Sequence, residues 1–135
     1  MPKSITAIEG IGPANADKLK GVGIRTVEKL LEMGASKKGR DELAEKAGIS
    51  GKLILTWVNS ADLFRVQGVG GQYAELLHAA GVDSVPELAQ RKAENLHQKM
   101  TQINAEKNLT RRVPTLEQVA GWVAQAKTLP KVISH

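Results

Sequence analysis

The sequence predicts an all-α fold built from two related helical units, and three observations lead there. Ile8-Glu9-Gly10-Ile11-Gly12-Pro13-Ala14-Asn15-Ala16-Asp17-Lys18-Leu19 returns as Val66-Gln67-Gly68-Val69-Gly70-Gly71-Gln72-Tyr73-Ala74-Glu75-Leu76-Leu77, at a constant offset of 58 residues that holds through Leu30/Leu88. Apolar residues elsewhere recur at helical spacing. No stretch alternates apolar and polar residues long enough to require a sheet. About eight to ten mostly short helices are expected, with residues 1–64 and 65–135 as pseudo-symmetric units packed into one compact body, the alternative being two lobes joined rigidly by the helix carrying Trp57.

The elements follow in order. Gly10 and Gly12 can take positive φ and turn the backbone sharply, and Pro13 fits the first turn of the helix that follows. Ala16 and Leu19 share a face, as do Ala74 and Leu77 in the second copy. Gly23 and Gly81 suit helix ends, and Thr26 and Ser84 are N-caps for the next helices, with Ser84 and Glu87 spaced as a capping box. A helix from Ser36 to Ala47 carries Leu43, Ala44 and Ala47 on one face and closes at Gly48. Ser50 caps a longer helix with the stripe Leu53, Ile54, Trp57, Val58, Ala61 and Phe64, leading into the second hairpin. Ala93 to Lys107 carries Leu96, Met100, Ile103 and Ala105. Thr115 and Gln118 form another capping box, opening a helix with Leu116, Val119, Val123 and Ala126 inward. Thr128 to His135 reads as a loose tail, and Trp57 and Trp122, 65 residues apart, read as core anchors with base-stacking platforms as the alternative.

Composition bounds the function. The chain has no cysteine, which excludes disulfides and thiol chemistry. It has no apolar run near the roughly 20 residues of a membrane span and no secretory leader, so a cytoplasmic protein without a membrane partner is expected. A net charge of +5 suits a polyanionic partner without demanding one, and the excess is spread thinly over both halves. His78, His97 and His135 are scattered, and no metal site is expected. Asp41, Glu42 and Glu45 lie among Lys37, Lys38, Arg40 and Lys46, as on a solvated helix with i,i+4 pairs. The chain is therefore expected not to be an enzyme.

A duplicated apolar-x-Gly-apolar-Gly loop opening a helix presents main-chain N–H groups, and such a helix start seats a phosphate. Both copies resemble the helix-hairpin-helix motif, best known in DNA-binding proteins that read no sequence and in DNA-repair enzymes. The resemblance implies phosphate contacts at Gly10, Ile11 and Gly12 and at Gly68, Val69 and Gly70. It implies no cofactor beyond a monovalent cation on hairpin carbonyls. Through GVGGQYAELLHAAGVDSVPELAQRKAENLHQKM and LEQVAGWVAQAK, the chain also resembles a bacterial family recorded only as a domain of unknown function. That likeness implies a fold and no activity.

Two departures stand out. Where the motif often has proline before the first glycine, this chain has Glu9 and Gln67. Basic residues follow the first hairpin, at Lys18, Lys20, Arg25 and Lys29, whereas Gln72, Tyr73 and Glu75 follow the second. The first hairpin is thus the expected contact if only one is used. Arg111-Arg112 reads equally as a phosphate clamp or a solvated loop. The expected function is non-catalytic, sequence-independent and weak binding of double-stranded DNA, with Lys18, Lys20 and Arg25 supplementing the hairpins. The alternative is a protein-interaction or assembly module that keeps the fold without binding DNA.

Overall fold

The computed structural model describes residues 3–135, and the all-α expectation holds for them: eight α-helices and one 3-10 turn. The one extended pairing among the described residues is an isolated antiparallel bridge between Ser4 and Thr26. The chain divides into two compact units. One closes at Asp62 and takes back Val132–His135, and the other is Leu63–Lys131.

In the first unit a 3-10 turn (Ile5–Ala7) precedes α1 (Pro13–Gly21), α2 (Val27–Gly34), α3 (Lys37–Ala47) and α4 (Gly51–Leu63). The Thr26 hydroxyl accepts the Lys29 N–H at 3.0 Å, and the Ser36 hydroxyl accepts that of Gly39 at 3.0 Å, so both helices start at capped residues. Ile5, Ile8, Leu19, Ile24, Leu30, Ile54 and Val58 are fully buried. Each such side chain contributes about 1.5–3 kcal/mol relative to exposure. The stripe of α4 runs through Ile54, Trp57, Val58 and Ala61, but Leu53 in its first turn is exposed.

Two further expectations are corrected in this unit. Arg40, read from its neighbours as part of a solvated face, is buried, and its guanidinium donates to the carbonyls of Gly34 (2.9 Å), Ala35 (3.2 Å) and Ser134 (2.8 Å). The tail is not loose at its end. Ile133 is buried, the Ser134 N–H donates to Ala35 O at 2.8 Å, and His135 Nε2 lies 3.3 Å from Asn59 Oδ1.

The second unit contains α5 (Gly71–Ala79), α6 (Val85–Ala89), α7 (Ala93–Lys107) and α8 (Leu116–Thr128). Helix α8 packs on α6 and α7, and α5 packs on α7. Their core holds Leu76, Leu77, Val82, Leu88, Leu96, Met100, Val119 and Trp122. The capping box at Thr115 and Gln118 forms in both directions. Only half of the one expected at Ser84 forms, because the Glu87 carboxylate turns to Arg91 at 3.3 Å. Leu116, expected inward, is exposed, while Asn104 is buried in α7.

Several bonds recur at the offset seen in the sequence. The Ile11 N–H donates to Ile8 O and the Val69 N–H to Val66 O, at 3.3 and 3.1 Å. The Ile24 N–H donates to Leu19 O and the Val82 N–H to Leu77 O, each at 2.9 Å. Gly10 and Gly68 both have φ +94°.

Candidate functional site

The loop from Val66 to Gly70 is held from inside and from behind. The Val66 and Val69 side chains are buried, so the turn cannot rotate outward. Gln125 on α8 grips Gln67 twice, accepting its N–H at 2.9 Å and donating to its carbonyl at 3.3 Å. Between these supports the chain reverses at Gly68, and the indole of Trp122 fills the space behind it: a Cβ on Gly68 would stand 3.0 Å from Nε1. Trp57 stands in the corresponding place behind Gly10, 3.9 Å from such a Cβ. Both tryptophans are core anchors, at 3% exposure each, and each backs the glycine turn of its own unit.

Gly70 caps α5 with extended backbone and has no side chain to satisfy the helix start. The Ala74 N–H is the first to find its i−4 carbonyl, at Gly70, so those of Gly71, Gln72 and Tyr73 have no acceptor within the helix. They carry the positive end of the helix dipole. Gly12, read as able to take positive φ, has φ −80°, and Gly70 has φ −103°. A Cβ on either would meet nothing within 4 Å. Neither backbone conformation nor internal packing requires glycine at these two positions.

Across from the start of α5 lies the loop between α7 and α8. Asn108, in left-handed conformation at φ +53°, ends α7. The buried Asn104 amide then clamps Thr110, donating to its carbonyl at 3.1 Å and accepting its N–H at 3.0 Å. The Thr110 hydroxyl donates to Arg112 O at 3.2 Å, and so does the Tyr73 hydroxyl, also at 3.2 Å. Tyr73 is itself set by its ring, tilted on Trp122 with centroids 5.2 Å apart. These bonds bring Arg111 and Arg112 to the second hairpin. Together they enclose an open cleft of about 420 Å³ lined by Gly68, Gly70, Gly71, Gln72, Tyr73, Thr110, Arg111 and Arg112.

The cleft is electropositive by composition. Its lining includes two arginines and no carboxylate. Among the described residues neither guanidinium joins an ion pair, whereas Arg91 and Lys37 are engaged by Glu87 and Asp41. Two exposed arginines in the same cleft as open main-chain N–H groups suit an oxyanion such as phosphate.

The first hairpin is arranged differently. Its helix starts with Pro13, which has no N–H to offer, and Glu9 is exposed beside the turn. Gly10 and Gly12 are exposed, while the Ile11 side chain points into the core and leaves only main chain for contact. Lys18 and Lys20 lie in the last turn of α1 and Gly12 before its first, a separation of roughly 9–12 Å along the axis at 1.5 Å per residue. Arg25 is exposed beyond Gly23. The structure therefore gathers Gly68, Gly70 and the arginine pair into one cleft, with Val69 buried beneath, and sets Lys18 and Lys20 away from Gly10 and Gly12.

No group of three or more His, Asp or Glu side chains among the described residues could hold a metal. No described helix is long and apolar enough to cross a membrane. A family model described as "Domain of unknown function (DUF4332)" matches residues 9–129. No curated protein and no solved structure matches the chain.

Proposed function

The chain belongs to this domain-of-unknown-function family, and from its own residues we propose that it is a non-catalytic, sequence-independent DNA-binding module. In this reading both glycine turns are helix-hairpin-helix hairpins, and the second is the main phosphate seat. The observation that carries it is at Gly70. The fold accepts a side chain there, since φ is ordinary and the space is open, and glycine leaves the start of α5 uncovered. Glycine there supplies no side-chain cap, so the N–H groups of Gly71, Gln72 and Tyr73 stay open to a phosphate oxygen. Gly12 repeats the feature at the first hairpin, with Lys18, Lys20 and Arg25 contributing longer-range attraction.

The contacts in this reading are main-chain N–H groups and guanidinium groups on phosphate oxygens, which carry no base identity, so sequence preference is not expected. With a few phosphates neutralised, log K should fall with log salt at a slope of about −2 to −4, using roughly −0.9 per phosphate. Fluorescence anisotropy of a labelled random duplex at several salt concentrations tests this. Arg111→Glu/Arg112→Glu should abolish binding and Lys18→Glu/Lys20→Glu should weaken it. Binding indifferent to salt, or unaltered by the arginine reversal, refutes the proposal.

A second reading, a protein-contact module, draws on the first unit. Met33, Leu53 and Val132 are exposed at 40%, 43% and 39%, and Glu9 places a carboxylate at its hairpin. Absence of duplex binding at low salt, with the fold intact, would favour it.

A further inference from the structure

We propose that the cleft of the second unit takes the phosphorylated end of a nucleic-acid strand in preference to an unbroken backbone. This rests on the phosphate-seat reading above and names the form of phosphate. The first argument is charge. Two exposed arginines that join no ion pair among the described residues line the cleft together with a helix start, and no carboxylate does. A terminal phosphate monoester carries about −1.5 to −2 at neutral pH, whereas each phosphodiester carries one negative charge. The monoester matches the arginine pair and the diester leaves part of it uncompensated.

The second argument is the number of donors. The N–H groups of Gly71, Gln72 and Tyr73 and the forks of Arg111 and Arg112 exceed what the two non-bridging oxygens of a diester can accept. A terminal phosphate presents three.

The third argument is shape. At about 420 Å³ the cleft is far larger than a phosphate group and lies in the roughly 300–1,000 Å³ range of small-ligand pockets. The surplus room, beside the Tyr73 ring, suits the sugar and base of one terminal nucleotide.

The test uses the full chain and one oligonucleotide duplex in four forms: 5′-phosphorylated, 3′-phosphorylated, with hydroxyl ends, and closed into a dumbbell without ends. One of the phosphorylated forms should bind about tenfold more tightly than the hydroxyl-ended and closed forms, the gain of an added charge-assisted contact. Arg111→Gln/Arg112→Gln should erase that difference with the circular dichroism spectrum unchanged. Equal binding of all four forms would overturn the end preference and leave the DNA-binding reading standing. No binding of any form would overturn both. A preference that survives in the arginine variant would overturn the assignment to this cleft. A nucleoside 5′-monophosphate that competes as well as the phosphorylated duplex would overturn the strand end as the ligand.

Discussion

At Gly68 the backbone takes φ +94°, and a Cβ would press on the Trp122 indole; at Gly70, two residues on, φ is −103° and the space is open. Their substitutions should therefore behave oppositely. Gly68→Ala should destabilise the protein by about 1–3 kcal/mol, for the strained conformation and the displaced indole. Gly10→Ala should cost less, since its Cβ would stand 3.9 Å from Trp57 rather than 3.0 Å from Trp122. Urea unfolding followed by circular dichroism measures both. Gly70→Ser should stabilise α5 by about a few tenths of a kcal/mol, because a serine N-cap satisfies one of its open N–H groups. The same variant should weaken duplex binding about tenfold, since a donor is withdrawn from the phosphate. Greater stability with unchanged binding would mean that the helix start holds no ligand. These contrasts were only half legible in the sequence. The repeat exposed the importance of Gly10, Gly12, Gly68 and Gly70, but which of them needs positive φ depends on the direction in which the chain leaves the turn.

The helices themselves were legible because their signals are local. Ser36 and Gly48 bracket α3, Thr115 and Gln118 open α8, and α7 runs from Ala93 to Lys107 as its apolar spacing indicates. What failed lay at element ends and in long-range contacts. Leu53 and Leu116 fit the periodic stripes, but each sits in the first turn of its helix and remains exposed. Arg40 looks like one charge among many on α3, yet it reaches the carbonyl end of α2 and a residue 94 positions later. Ile133 is a lone apolar residue that no periodicity marks as buried. The Arg111-Arg112 loop was equally ambiguous, because its position depends on Asn104 and on Tyr73, which is 39 residues from Arg112. Arg40→Ala should cost about 1–3 kcal/mol by removing the donor that serves Gly34, Ala35 and Ser134. An unfolding midpoint unchanged from the parent protein would show that these bonds contribute nothing net.

At the scale of the whole molecule, a net charge of +5 spread over both units gives only weak, salt-sensitive attraction for a polyanion. The proposed place for that attraction is the second hairpin, where the start of α5 and two arginines that join no ion pair among the described residues line one cleft. The sequence directed attention to the first hairpin through Lys18 and Lys20, but α1 carries those lysines to its far end. The most direct measurement is a titration of the isotope-labelled protein with an unlabelled duplex at low salt, followed by amide proton–nitrogen correlation spectra. The account predicts that the largest shifts fall on Gly70, Gly71, Gln72 and Tyr73, with the Trp122 indole resonance moving alongside them. Shifts absent from these residues, or confined to the first unit, would contradict it.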